Sequence, residues 1–231
     1  MVLNCSDLGT IEYARALALQ EEILQRRCHG EGDDTLLLLE HPPVFTLGRG
    51  ADERHLLTPR TVPVHRVSRG GEVTFHGPGQ LVGYPLIDLT GHGRDVHLYL
   101  RGLEVVLIEV LATYGITARR EHGRTGVWVG EKKIASIGVG VRRWVTYHGF
   151  ALNVNTDLSY FADIIPCGLA GVRMTALAEL VSTPIDVASI KPLVAVTFAR
   201  YFGYKDILWQ KDLSTLNFEP QTLNSLHLVS R

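Results

Sequence analysis

Lys133-Ile134-Ala135-Ser136-Ile137-Gly138-Val139-Gly140-Val141, turned by Arg142-Arg143-Trp144 into Val145-Thr146-Tyr147-His148-Gly149-Phe150-Ala151-Leu152-Asn153-Val154, is the stretch whose reading sets the fold. Two adjacent β-rich runs with a short polar connection predict an antiparallel meander. Upstream, Thr117 to Arg119 and Gly126 to Val129 read as strands, and Gly130-Glu131-Lys132 reads as the hairpin turn that feeds the first long run.

Further out the pattern alternates helices with short strands. Ile11 to Arg27 is amphipathic, with Thr10 as N-cap and Gly30 as terminator. Thr35 to Leu39 is a continuous apolar run that suits a buried strand. In His41-Pro42-Pro43-Val44-Phe45-Thr46-Leu47-Gly48-Arg49 two prolines cannot both join a central ladder, which predicts a position at the rim of the sheet. Val62 to Val67 and Leu81 to Leu86 read as strands, and Asp95 caps a strong helix from Val96 to Tyr114 that Gly115 ends. Thr175 caps a short helix, Ala176 to Leu180. Ser189 caps another, with Pro192 in its first turn and Gly203 after its end. The segment from Asp206 onward carries no readable chemistry. No repeat, low-complexity tract or linker interrupts the chain, so one domain over 1–231 is the simpler reading and two small domains the alternative.

Composition excludes several classes. A net charge of −1 argues against a nucleic-acid binder that relies on a broad basic surface. The first residues lack a basic segment followed by an apolar one, so no signal peptide is expected. The most apolar helical run, around Val105 to Ala112, is interrupted by Glu104 and Glu109, which excludes a membrane span. Cys5, Cys28 and Cys167 are too few for a disulfide framework and lack metal-ligand spacing, so no metal is expected. A cytoplasmic location fits best.

The densest chemistry lies in Arg69-Gly70-Gly71-Glu72-Val73-Thr74-Phe75-His76-Gly77-Pro78-Gly79-Gln80-Leu81-Val82-Gly83-Tyr84-Pro85. Glycine costs folding entropy, so this cluster points to close backbone approach, with a ligand as one cause and tight turns as the other. No phosphate loop and no strand-placed dinucleotide fingerprint is present. Cys167, bracketed by Pro166 and Gly168, is the best nucleophile candidate. A free thiol has a pKa near ~8.5 and needs an activator. His76, His148 or His122 could serve, or a lysine such as Lys133. On the residues alone Lys133 reads more readily as the polar end of a hairpin, and His148 as a satisfied core or surface histidine.

These segments together resemble the octanoyltransferase family, the lipoyl(octanoyl) transferases of lipoate synthesis. The resemblance runs from His41 to about Thr175 and rests on His41–Arg49, Arg69–Pro85, Gly126–Gly138, His148–Asn153 and Pro166-Cys167-Gly168, in that order. It implies an α/β fold of α+β type, a mixed, largely antiparallel sheet flanked by helices, like that of biotin and lipoate protein ligases. It implies that Cys167 forms an acyl-thioester and that Lys133 lowers the thiol's pKa and moves protons. Arg69, Gly70, Gly71, Glu72, Val73, Thr74, Phe75, His76, Ser136, Ile137, Gly138, Gly149, Phe150 and Ala151 would line the acyl pocket, with His148 in support. The implied donor is octanoyl-acyl carrier protein. The implied acceptors are lipoyl domains of 2-oxoacid dehydrogenases and the glycine cleavage H protein, with no cofactor, nucleic acid or membrane involved. The rival readings are an ATP-dependent lipoate or biotin ligase, an acyl-thioester hydrolase and an inactive carrier-binding module.

Overall fold

The structure is a computed structural model and describes residues 1–57, 62–165 and 171–210. In chain order its elements are β1 (Val2–Thr10), α1 (Tyr13–Cys28), β2 (Thr35–Glu40), β3 (Val44–Leu47), β4 (Val64–Arg66), β5 (Val73–His76), β6 (Gln80–Leu86), α2 (Val96–Ala112), β7 (Arg119–Glu121), β8 (Arg124–Val129), β9 (Lys132–Arg142), β10 (Val145–Asn153), β11 (Arg173–Met174), α3 (Val187–Phe202) and β12 (Asp206–Gln210), linked by short 3-10 turns.

Among the described residues the larger sheet has nine strands in the order β12-β1-β2-β6-β10-β9-β8-β7, with β11 paired to β9. The β1–β12, β1–β2 and β9–β11 pairs are parallel. The rest are antiparallel, so the sheet is mixed and largely antiparallel, as the resemblance implied. The expected meander is the run β7-β8-β9-β10. Its tightest corner places Arg143 and Trp144 at φ 48° and 68°, the mirror-image turn that suits a two-residue hairpin.

Side-chain alternation along the strands sets the layers. In β2, Leu36 and Leu38 pack on one face with Leu103, Val106 and Val110 of α2 and Ile190 and Val194 of α3. Leu37 and Leu39 pack on the other with Ala16, Ile23 and Leu24 of α1. Each fully buried leucine contributes about 1.5–3 kcal/mol over an exposed one. The sheet is therefore covered by helices on both faces.

The smaller sheet has the order β4-β3-β5, and β3 is its centre. The rim position expected for His41–Arg49 is thus wrong. Pro42 and Pro43 precede the strand, and only Val44–Leu47 enters the ladder, where all four residues are buried. Cap assignments also shift. Glu12, not Thr10, precedes α1 and makes no side-chain cap. Asp186, not Ser189, caps α3 by accepting from Ala188 N. Asp95 caps α2 as expected, accepting from Leu98 N. The short helix after Thr175 is a 3-10 turn, Leu177–Glu179. The N-terminal strand β1 had no signal in the sequence reading.

Candidate active site

The α1-side face of the larger sheet and the smaller sheet enclose a cavity of about 250 Å³. Its walls combine Arg69–Thr74 and His76 from the glycine-rich stretch, Ser136, Ile137 and Gly138 of β9, and His148–Ala151 of β10. Two ties hold the walls together. Gly70 N–H donates to Val139 O at 2.8 Å, joining the glycine-rich loop to β9, and Arg49 N–H donates to Arg69 O at 3.0 Å. Close approach is the reason for glycine here. A Cβ on Gly138 would lie 2.8 Å from Gly70 O, and one on Gly48 2.2 Å from Gly71 O.

Lys133 reaches this cavity through a break in the strand pattern. Ala135, Ile137 and Val139 face the core of α2 and α3, so strict alternation would send Lys133 there too. Instead the β8–β9 register slips by one residue, with Val127 opposite Ala135 but Trp128 opposite Lys133. Such a bulge re-aims side chains. Ile134 enters the core beside Ala135, and Lys133 turns to the cavity, where it is 3% exposed. Its Nζ lies 5.8 Å from the Trp128 ring centroid. Room for its stem comes from Gly126, held at φ 132°, whose N–H donates to the fully buried Glu104 Oε1 at 3.0 Å.

Arg69 is buried beside the smaller sheet. Its Nη2 donates to Thr46 O at 2.8 Å and Thr46 Oγ1 at 2.9 Å, and its Nη1 to Gly70 O at 3.0 Å. His76 Nδ1 donates to Gln80 Oε1 at 2.8 Å, and Gln80 Nε2 donates to Asn153 Oδ1 at 2.9 Å. Asn153 Nδ2 donates to Thr175 O, whose own N–H donates to Lys133 O at 2.9 Å. A chain of hydrogen bonds thus runs from His76 to the backbone of Lys133. Burial, with His41 nearby, lowers the His76 pKa to about 3, so the ring is neutral. Phe75 is absent from the lining. Alternation along β5 turns it to the far face, where its ring stacks on Tyr160 at 4.4 Å and packs with Phe45 and Phe161.

His148 departs most from its sequence reading. It lies in β10, 1% exposed, with φ 56°, a conformation that costs an L-residue about 1–2 kcal/mol. Its N–H donates to Gln20 Oε1 at 2.8 Å. Among the described residues neither ring nitrogen has a hydrogen-bond partner. Burial, with Arg69 and Arg49 close by, lowers its pKa to about 3. The ring sits 5.0 Å from Tyr147 and 6.4 Å from Tyr84, on the α1 face rather than with Phe150 in the opposite core. This histidine is not the satisfied core residue that its strand setting suggests.

Tyr13, Gly123, Arg124, Thr125 and Val172 also line the cavity and had no sequence signal, while Tyr84 and Trp128 lie in stretches singled out above without having been assigned to it. Tyr84 donates to His41 Nε2 at 2.7 Å, while His41 Nδ1 donates to Ile11 O. Cys167 lies outside the described residues. On the described chain beyond it, Val172 lines the cavity and Met174 pairs with Lys133.

Residues 12–199 match the model of the lipoyl protein ligase A/B catalytic domain. An octanoyltransferase of Gloeobacter violaceus is 52% identical over 197 residues, 84% of this chain and 88% of that protein. The fold is similar to that of a lipoate-protein ligase A solved with ATP, with a TM-score of 0.75 at 17% identity over 92% of this chain and 89% of that one. It is also similar to the biotin protein ligase of Aquifex aeolicus, with a TM-score of 0.55 at 14% identity over 87% and 70% of the two chains. The biotin and lipoate ligase fold expected for the chain is therefore the one it has. The chain belongs to the octanoyltransferase family, on the lipoyl protein ligase A/B catalytic domain.

Proposed function

We infer that this chain is an acyltransferase of protein lipoylation that moves an octanoyl group through a thioester on Cys167. The observation that supports this most directly is Lys133, a lysine turned by a bulge into a narrow cavity walled by glycine backbone. In the first half-reaction the Cys167 thiolate attacks the thioester carbon of octanoyl-acyl carrier protein. The carrier's thiol leaves, and Lys133 manages the proton that the cysteine gives up. In the second, the side-chain amine of a lipoyl-domain lysine attacks the Cys167 thioester. An amide forms, the proton passes toward Lys133 and the free thiol returns. One thioester replaces another and an amide ends the sequence, so no ATP is consumed.

Each half-reaction develops an oxyanion that backbone N–H groups can stabilise. The acyl chain lies between Gly70, Gly71 and Gly138, with Arg69–Thr74, His76, Ser136–Gly138 and Gly149–Ala151 as walls. The acceptors are lipoyl domains, including those of 2-oxoacid dehydrogenases and the glycine cleavage H protein, and the compartment is the cytoplasm. No described helix is long and apolar enough to cross a membrane.

The test is to incubate the protein with octanoyl-acyl carrier protein without ATP and weigh it intact. One octanoyl group is expected on the wild type, none on Cys167→Ala and much slower loading of Lys133→Ala. Adding a lipoyl domain should move the group to its lysine. An adduct that survives in Cys167→Ala overturns the covalent route, and release of free octanoate instead of octanoylated domain would make the protein a hydrolase.

A further inference from the structure

His148 is the feature that the reaction above leaves unused. It sits in the cavity wall on a strained backbone, and both ring nitrogens lack a hydrogen-bond partner among the described residues. Two other polar groups at that end are engaged: His76 by Gln80, and Tyr84 by His41. Leaving a buried imidazole without partners is costly, so a strained residue held in that state points to a ligand atom that completes it.

Register locates His148 relative to the reacting end. It pairs with Val139 on the strand that carries Lys133 at its start. At about 3.3 Å per residue those two β9 positions are about 20 Å apart. A lysine stem and an extended eight-carbon chain, with bonds of about 1.5 Å, together span roughly 15 Å. Lys133 and His148 line one cavity, so a chain whose thioester lies beside Lys133 covers much of that length and points its far carbons toward the end formed by Tyr13, His76, Tyr84 and His148. That end of the cavity is polar, which an unsubstituted methyl end does not require.

We propose that His148 is a specificity-determining residue that admits medium-chain acyl groups bearing a hydroxyl near the chain end, with its imidazole as their hydrogen-bond partner. The proposal rests on the acyl-transfer reading. A neutral imidazole offers one N–H and one lone pair, so it can donate to or accept from a hydroxyl. An all-apolar pocket would instead disfavour a buried hydroxyl by about 5- to 100-fold.

The test compares kcat/KM for octanoyl- and 8-hydroxyoctanoyl-acyl carrier protein in the wild type and in His148→Leu. The wild type is expected to use the hydroxylated donor within fivefold of octanoyl, and His148→Leu to lower that ratio more than fivefold. A wild type that rejects the hydroxylated donor more than fivefold, or a ratio that His148→Leu leaves within fivefold, overturns the proposal. Should His148→Leu not fold, the ring nitrogens of the wild type provide the second measurement. On adding 8-hydroxyoctanamide the nitrogen resonance of His148 should shift more than with octanamide, and equal shifts overturn the proposal. Failure to load octanoyl at all would instead refute acyl transfer itself.

Discussion

A Cβ on Gly126 would lie 2.5 Å from Cε of Lys133 and 2.7 Å from Ala135 O. The glycine is thus the space into which the lysine folds, and its φ of 132° is one that L side chains rarely adopt. Gly126→Ala is expected to displace Lys133 and slow acyl loading at least tenfold, as read by intact mass against time. A destabilisation of about 1–3 kcal/mol should accompany it.

Two other glycines separate stability from activity. A Cβ on Gly149 would meet Gly83 O at 2.1 Å, backbone against backbone between β10 and β6. Gly149→Ala is expected to cost about 3 kcal/mol or more in urea unfolding. At Gly138 the neighbour is Gly70 O at 2.8 Å, in the cavity wall. Gly138→Ala should therefore reduce octanoyl loading more than it reduces stability.

Gln80 joins the two sheets chemically. Its side chain accepts from His76 and donates to Phe75 O and Asn153 Oδ1, all buried. Gln80→Leu leaves those groups without a partner, with an expected loss of about 2–4 kcal/mol in denaturant unfolding. An unchanged midpoint would mean that the network contributes little.

Three buried histidines make stability fall in acid. Burial lowers His41 to about 4, and His76 and His148 to about 3, all below the ordinary 6.5. The unfolded chain therefore binds protons that the folded chain does not. Their stabilisation is complete above about pH 6.5 and is lost as pH falls toward 3–4, by up to about 1.4 kcal/mol per pH unit for each ring. Denaturant unfolding at pH 7, 6 and 5 should show the decline, and His148→Asn should make it shallower. Asparagine suits this position because it tolerates the left-handed backbone.

The elements that follow simple periodicity were legible in the sequence: the capped helix α2, the apolar run of β2, and the meander from β7 to β10. What escaped was each break in periodicity. Strict alternation puts Lys133 in the α2–α3 core, and only the slip opposite Trp128 turns it to the cavity. Alternation likewise places His148 with Phe150, and a positive φ moves it away. Both events depend on partners distant in the chain, Gly126 with Glu104 in one case and Gln20 in the other. Phe75 shows the converse. It belongs to a stretch rich in cavity residues, yet ordinary alternation along β5 directs it into the Phe45 cluster. Strand β1 pairs with β2 and β12, and its mixed polarity had no period that could announce it.

The cavity has its walls on two separate sheets, tied by contacts such as Gly70 N–H to Val139 O. Docking of the sheets and occupancy of the cavity are consequently linked equilibria. An acyl chain held between them is, in thermodynamic terms, a piece of core supplied from outside. At one hundred times its Kd such a ligand adds about 2.7 kcal/mol to unfolding. A thioester-bound chain would be present at a far higher effective concentration than any free one. The loaded enzyme should accordingly be the more rigid species, and delivery of its cargo should return the protein to its looser form.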